Sequence, residues 1–237
     1  MKVLFLDIDG VIQLSTEHRF NHSKEEIYAL CHDLTEKFGG IFDYTAWVGD
    51  DSGGNPFWTV AAVQWDWNPE IVGELKRVLD TTGAKIVLSS AWRHNGNEAM
   101  RALFRIWQLD SYYLDSTMPE DFWDSRDKAK SKLENQYEKY LSNGKKYLFV
   151  DRRSFEILEW LDRHPEVTSY AIVDDYFNIY GHGDHFVLCE KGLKKDLADK
   201  LIAALQIEDG PYCLPKEIHS MPELAIVRSK KSPKENR

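Results

Sequence analysis

The sequence predicts an α/β protein with a doubly wound, mainly parallel sheet and an inserted, cap-like segment. Short apolar runs alternate with stretches of helical periodicity over most of the 237 residues, and this alternation is typical of a parallel sheet covered by helices. The first run, residues 3–6, contains no polar residue, as expected for a strand buried on both faces. Residues 12–67 are too many for a simple strand-to-helix connection. We therefore expect an insertion at about 13–67 that covers a site.

The first half of the chain begins with this strand. Residues 23–38 form the first predicted helix, because Ser23 and Glu26 have the spacing of a capping box and apolar residues follow at helical intervals. Residues 41–67 are rich in glycine and aromatic residues and predict turns, short strands and loop. Asn68 and Pro69 then mark the start of a second helix. It is predicted to end at Gly83 and to be followed by a strand at 85–88 and a helix at 97–108.

The second half repeats the pattern. The remaining predicted strands are 147–150, 170–173 and 186–189, and the remaining predicted helices are 125–141, 154–163 and 193–205. We expect a catalytic domain over 1–206, with a charged helical insertion at about 120–146. Residues 207–237 are expected to be an extension that ends in a disordered basic tail.

Composition and charge exclude several classes of protein. No apolar run is long enough to cross a bilayer, and three scattered cysteines fit neither a disulfide framework nor a zinc site. We therefore expect a cytoplasmic protein with no membrane partner. The net charge is −9. Residues 228–237 carry a net charge of +4, which leaves −13 for the rest of the chain. Strong non-specific binding to nucleic acid is not expected from such a body.

Acidic residues and a serine follow three of the predicted strands. Asp7 and Asp9 follow the first strand, Ser90 follows the strand at 85–88, and Asp174 and Asp175 follow the strand at 170–173. Ligands of doubly wound sheets bind at the carboxyl ends of the strands. Carboxylates gathered there would repel one another, and Mg²⁺, which prefers carboxylates, water and phosphate oxygen, would relieve the repulsion.

These motifs resemble those of the haloacid dehalogenase (HAD) superfamily, which has a Rossmann-like fold. Asp-x-Asp-Gly-Val at 7–11, Ser-Ser-x-Trp-Arg at 89–93 and Val-Asp-Asp at 173–175 occur in the family's order. More narrowly, Arg153 before Ile-Leu-Glu-Trp-Leu at 157–161 resembles the HAD domain associated with Swiss-army-knife RNA repair proteins. The likeness covers roughly residues 1–12 and 68–206.

The resemblance implies a Mg²⁺-dependent phosphatase. Asp7 would be the nucleophile, Asp9 the general acid and base, and Ser90 and Arg153 the groups that bind the transferred phosphoryl group. Mg²⁺ would be held by Asp7, the backbone carbonyl of Asp9, Asp174 and Asp175. Gly10 and Arg93 are the candidates for further substrate binding.

Several assignments have alternatives. Ser89 and Arg152 are the neighbours of Ser90 and Arg153, and Asp151 is a rival metal ligand. Arg93 could contact substrate phosphate or cap a helix. His182 and His185 could belong to a metal loop or to a turn. Trp92 could stack on substrate or pack in the core, and the same choice applies to four further tryptophans: Trp47, Trp58, Trp65 and Trp67.

The predicted function is hydrolysis of a phosphomonoester through an aspartyl-phosphate. The substrate would be a phosphorylated small molecule, such as a nucleotide, or the phosphate at a nucleic-acid end. A phosphotransferase and a non-enzymatic binding module with the same fold are the alternative functions. The presence of Asp9 argues against a dehalogenase, because family members that cleave carbon–halogen bonds generally lack this second aspartate.

Overall fold

The computed structural model describes residues 1–15, 17–46, 56–117, 152–176 and 182–207. Its strands are β1 Lys2–Leu6, β2 Lys85–Leu88, β3 Tyr113–Ser116, β4 Ser169–Asp174 and β5 Phe186–Leu188. Its α-helices are α1 Lys24–Lys37, α2 Pro56–Trp65, α3 Pro69–Thr82, α4 Asn97–Ile106, α5 Arg152–Arg163 and α6 Lys195–Ala204. Short 3₁₀ helices cover His18–Asn21, Ala91–Asn95 and Gly183–His185.

The five strands form one parallel sheet in the order β3-β2-β1-β4-β5. The chain moves outward from β1 to β2 and β3, and then returns to the other side of β1 with β4 and β5. The order therefore reverses beside β1, between β1 and β4. A doubly wound sheet binds its ligands at such a reversal point, outside the carboxyl ends of the strands. The predicted fold class is confirmed.

The sheet separates two apolar layers. Leu4 and Leu6 of β1 face the larger one, which includes side chains of α1, α2, α3, α4 and α6. Val3 and Phe5 face the smaller one, where Trp160 of α5 packs edge-on against Phe5. Both faces of β1 are thus covered, which explains its uninterrupted apolar sequence. This packing fixes the direction of the residues that follow β1.

The helix boundaries follow from local chemistry. Ser23 and Glu26 form the expected capping box at the start of α1. The Asn68 side chain accepts hydrogen bonds from the first backbone amides of α3, and Gly83 ends that helix in the left-handed region. The helix predicted at 97–108 is α4 and ends two residues earlier, and the helices predicted at 154–163 and 193–205 are α5 and α6.

Two elements differ from the prediction. Residues 41–67 were expected to contain no helix, but 56–65 form α2. Its side chains are apolar at most positions and Phe57, Val60 and Val63 are buried, so the segment shows no polar face from which helical periodicity could be read. Strand β3 was not expected either. Among the described residues it is a four-residue strand at the edge of the sheet and pairs with β2, and its sequence Tyr-Leu-Asp-Ser is too short and polar to stand out.

The described part of residues 13–67 contributes to the main core as well as to the surface. Ile27, Cys31 and Leu34 of α1 and Tyr44 belong to the same buried cluster as Leu4 and Leu6. The predicted elements at 125–141 and 147–150, and the C-terminal tail, lie outside the described residues. Among the helices of the described part, none is long and apolar enough to span a membrane.

Candidate active site at the carboxyl edge of the sheet

The ends of β2, β1 and β4 bring three sequence motifs side by side. The backbone amide of Asp7 donates to the carbonyl of Val173 at 3.0 Å, and the amide of Ser89 donates to the carbonyl of Leu6 at 2.9 Å. The parallel ladders therefore continue one residue beyond β1 and β2. Asp7 lies between the serine motif on one side and Asp174 on the other, at the point where the strand order reverses.

Three carboxylates meet at this edge. One ligand oxygen from each of Asp7, Asp174 and Asp175 lies within 4.8 Å of the others. Asp7 and Asp174 are buried, whereas Asp175 is exposed. Within the described part of the chain, this is the group of residues whose geometry could hold a metal ion. An all-oxygen, all-carboxylate donor set suits a hard divalent cation such as Mg²⁺.

A serine and an arginine contact the same carboxylates. The Ser90 side chain is fully buried and hydrogen-bonds to Asp7. The Arg153 Nη1 atom lies 3.2 Å from Asp7 Oδ1 and 2.5 Å from Asp174 Oδ2. Arg153 reaches them because it is in the first turn of α5, which packs under β1 and β4. Ser90 and Arg153, the two residues predicted to bind the phosphoryl group, therefore both lie beside Asp7.

The electrostatics of the cluster are unfavourable without a further cation. Burial raises the pKa of Asp7 to about 7, and the charge of Asp174 adds to the rise, while Arg153 and Ser90 oppose it. Burial also raises the pKa of Asp174, against the effect of Arg153. For Arg153, the nearby carboxylates outweigh burial and raise the pKa. The charge of Arg153 therefore does not compensate the carboxylates, and a divalent cation would.

Asp9 points to different partners. Its Oδ1 atom accepts a hydrogen bond from Gln13 Nε2 at 3.1 Å, and its Oδ2 atom accepts one from Trp92 Nε1 at 3.1 Å. Desolvation raises the pKa of Asp9, whereas the hydrogen bond from Trp92 and the charge of Arg19 lower it. The two aspartates of the motif therefore have distinct environments.

Gly10 lets the Asp7–Asp9 loop approach Asp175. Its φ is +77°, in the left-handed region, and a Cβ at this position would lie 2.2 Å from Asp175 Oδ2. Any side chain here would displace a carboxylate of the cluster. The other side of the loop is fixed by the amides of Gly192 and Leu193, which donate to the carbonyls of Gly10 and Val11.

Arg93 lies in the 3₁₀ helix that follows Ser90. Its Nη2 atom lies 2.8 Å from Glu156 Oε2, and its Nη1 atom donates to Thr117 Oγ1 at 3.3 Å. The side chains of Arg93 and Glu156 are 10% and 3% exposed. The arginine is thus held in a buried ion pair with α5.

The alternative candidates fall in various places. Trp92 donates to Asp9 and also packs against Trp67, with ring centroids 6.0 Å apart. His182 and His185 interact with the hydroxyl and the carbonyl of Tyr170, respectively. Ser89 is buried beside Ser90. Trp67 is buried, whereas Trp58 and Trp65 are partly buried against the main core. Trp47, Asp151 and the side chain of Arg152 lie outside the described residues.

Three residues near the site were not predicted from the sequence. Gln13 and Arg19 lie in the segment read as an insertion, where periodicity gave no guide. Glu156 carried a usable signal, since it follows Arg153 by three residues on a predicted helix and so shares its face. Arg19 pairs with Asp66, whose side chain is fully buried.

A parallel sheet that gathers Asp-x-Asp-Gly, a serine, an arginine and an Asp-Asp pair at its carboxyl edge defines a domain of the HAD class. A comparison with family models matches residues 3–198 to the HAD domain in Swiss Army Knife RNA repair proteins, and the chain belongs to this family. Comparison with curated proteins and with solved structures gives no match. Membership of the family supports a hydrolase-type function.

Proposed function

We propose that the protein is a Mg²⁺-dependent phosphohydrolase that acts on phosphomonoesters through an aspartyl-phosphate on Asp7. The observation that carries the proposal is the meeting of Asp7, Asp174 and Asp175 beside Ser90 and Arg153. Phosphoryl transfer depends mainly on positioning and on neutralising the charge of the transferred group. The site has groups for both tasks.

The metal would be held by Asp7, Asp174 and Asp175, with the backbone carbonyl of Asp9 as a further ligand. Once bound, Mg²⁺ supplies positive charge against the carboxylates and the phosphate oxygens. The remaining tasks belong to side chains of the chain itself. Ser90 and Arg153 donate hydrogen bonds to the phosphoryl oxygens, and Arg153 compensates their charge.

In the first step, an oxygen of Asp7 attacks phosphorus. A bond forms between Asp7 and phosphorus while the bond from phosphorus to the leaving oxygen breaks. Asp9 donates its proton to that oxygen, so the product leaves as an alcohol. The desolvation that raises the pKa of Asp9 favours the protonated form required here.

In the second step, the ionised Asp9 takes a proton from water. The resulting hydroxide attacks phosphorus, the bond between Asp7 and phosphorus breaks, and inorganic phosphate is released. Asp7 returns as a carboxylate and Asp9 returns in its protonated form. The sum of both steps is phosphomonoester plus water giving alcohol plus phosphate.

The substrate class we propose is a nucleotide or a phosphorylated nucleic-acid end. The description of the family, which names RNA repair proteins, supports this choice. The acidic body of the chain favours recognition of a terminus over extended binding along a backbone. The described part of residues 13–67 reaches Asp9 through Gln13 and would lie beside the leaving group, and the choice between hydrolysis and transfer depends on how far water is admitted there.

The test of the reaction is hydrolysis of p-nitrophenyl phosphate with Mg²⁺. The matched pair of variants is Asp7→Asn and Asp33→Asn, which make the same chemical change at the site and on the exposed face of α1. We expect turnover in the wild type and in Asp33→Asn, and loss in Asp7→Asn and with EDTA. Undiminished turnover in Asp7→Asn would exclude the aspartyl-phosphate.

The test of the substrate compares kcat/KM for nucleoside monophosphates with kcat/KM for a short RNA carrying a 3′-phosphate. A higher value for the RNA supports a terminal phosphatase, and a higher value for the nucleotides supports a nucleotidase. Mg²⁺ binding measured by calorimetry, without turnover of any phosphoester, would favour the binding module instead. Phosphate transfer to an added alcohol would favour a phosphotransferase.

A further inference from the structure

We infer that the buried ion pair between Arg93 and Glu156 is a positioning device that sets Ser90 and Arg153 relative to each other. The inference rests on the proposed function, in which these two residues bind the same phosphoryl group. It gives Glu156 a role in the site and gives Arg93 a task other than contact with substrate.

The pair connects the two segments that carry the phosphate-binding groups. Arg93 follows Ser90 by three residues, in the 3₁₀ helix for which Ser90 is the N-cap. Glu156 follows Arg153 by three residues in α5, so the two lie on one face of that helix. One segment follows strand β2 and the other is helix α5, so the hydrogen bonds of the sheet do not join them. The 2.8 Å contact between Arg93 and Glu156 joins them directly.

A second contact of Arg93 extends the connection to the end of β3. Its Nη1 atom donates to Thr117 Oγ1, while the amide of Thr117 donates to the carbonyl of Leu88 at 3.0 Å. Arg93 therefore binds the end of β2, the end of β3 and α5 together. A planar guanidinium can bridge two acceptors in fixed directions, which a lysine ammonium does not.

The burial of the pair argues for a role other than stabilising the fold. The side chains are 10% and 3% exposed, and burying two charges gives little net stability compared with apolar residues of similar size. The charge of Glu156 also acts on Arg153. Arg153 itself contacts Asp7 and Asp174, and on this inference the pairing of Glu156 with Arg93 keeps Arg153 from turning toward Glu156.

The test uses Glu156→Gln, Arg93→Lys and the double variant. Glu156→Gln keeps the size of the side chain, removes its charge and replaces one acceptor oxygen by an amide donor. We expect kcat to fall about 10- to 100-fold in each single variant, with a smaller change in KM, because a displaced phosphoryl site slows the chemical step. The double variant should lose no more than the worse single variant, since the two residues act as one unit.

A control separates this effect from loss of any partly buried ion pair. Arg105 Nε lies 3.0 Å from Asp110 Oδ2, in the last turn of α4 and away from the carboxyl edge of the sheet. Arg105→Gln should lower the melting temperature without changing kcat. Unchanged kcat in Glu156→Gln would overturn the inference. If Arg93 instead contacted the substrate directly, KM would rise in Arg93→Lys but not in Glu156→Gln. The effects of the two substitutions would then add in the double variant.

A second readout does not require turnover. Binding of inorganic phosphate in the presence of Mg²⁺, measured by calorimetry, should weaken in Glu156→Gln and remain unchanged in Arg105→Gln. Equal phosphate affinity in Glu156→Gln and wild type would overturn the inference even in an active enzyme. A wild type that binds phosphate but hydrolyses no ester would contradict the proposed function, while this comparison would still decide the role of the pair.

Discussion

Replacing Asp7 by asparagine should stabilise the protein in the absence of metal. The pKa of Asp7 is raised from 3.8 to about 7, mainly by burial and by the charge of Asp174. At pH 8 the carboxylate is ionised in both the folded and the unfolded chain, and the folded state bears the full cost of a buried charge. That difference in pKa corresponds to about 4 kcal/mol of unfolding free energy.

The pH dependence follows from the direction of the shift. Below pH 3.8 the carboxyl group is protonated in both states, so it contributes no difference. Between pH 4 and pH 7 the unfolded chain loses its proton first, and the wild type loses stability as the pH rises. Asparagine does not titrate. The advantage of Asp7→Asn should therefore grow from about 2 kcal/mol at pH 5 to about 4 kcal/mol at pH 8.

The assay is urea unfolding with EDTA at pH 5 and pH 8, followed by tryptophan fluorescence. Asp33→Asn is the control and should show no such dependence on pH. Added Mg²⁺ should reverse the order, because it binds the folded wild type more tightly than the variant. The reasoning is refuted if metal-free Asp7→Asn is less stable than the wild type at pH 8, or if its advantage is the same at both pH values.

Three further predictions concern the loop after β1, its neighbours and α1. Gly10→Ala places a Cβ 2.2 Å from Asp175 Oδ2 and should weaken Mg²⁺ binding at least about 10-fold by calorimetry; unchanged affinity would contradict the geometry. Trp92→Phe removes a hydrogen bond to Asp9 that lowers its pKa, so the limb of the pH–rate profile governed by Asp9 should move to higher pH, and a move to lower pH would be inconsistent with this contact. Ser23→Ala removes the capping box of α1 and should cost about 1 kcal/mol in urea unfolding, with kcat unchanged; a loss of turnover would instead connect α1 with the site.

The fold could be predicted where local chemistry and burial agree. Strand β1 has an apolar residue at each buried position, and the capping residues Ser23 and Asn68 mark their helices at the observed positions. Helix α2 was missed because an almost fully apolar helix has no polar stripe. Strand β3 was missed because it has only four residues and forms by pairing with β2. No local sequence pattern predicts that pairing.

The candidate site could be predicted in its charges but not in its contacts. Strand ends carry Asp7, Asp174 and Asp175, and a parallel sheet brings such ends together, so their meeting follows from the sequence pattern. The partners of Arg93 are a different matter. Glu156 and Thr117 approach it from a helix and from an edge strand, and their approach depends on how α5 packs on the sheet. Tertiary packing sets such contacts between elements, and the spacing of residues along the chain does not predict them.

The apolar strands of the sheet hold the unfavourable charges of the site in place. Asp7 and Asp174 are buried close to each other, with Arg153 in contact with both, at a cost in stability that a bound cation would remove. Such a cluster keeps its shape only if the backbone beneath it does not move. Strand β1 provides that support, because it lies between β2 and β4 and is buried on both faces. The Asp7→Asn experiment measures this cost directly, since it removes one charge and leaves the supporting strands unchanged.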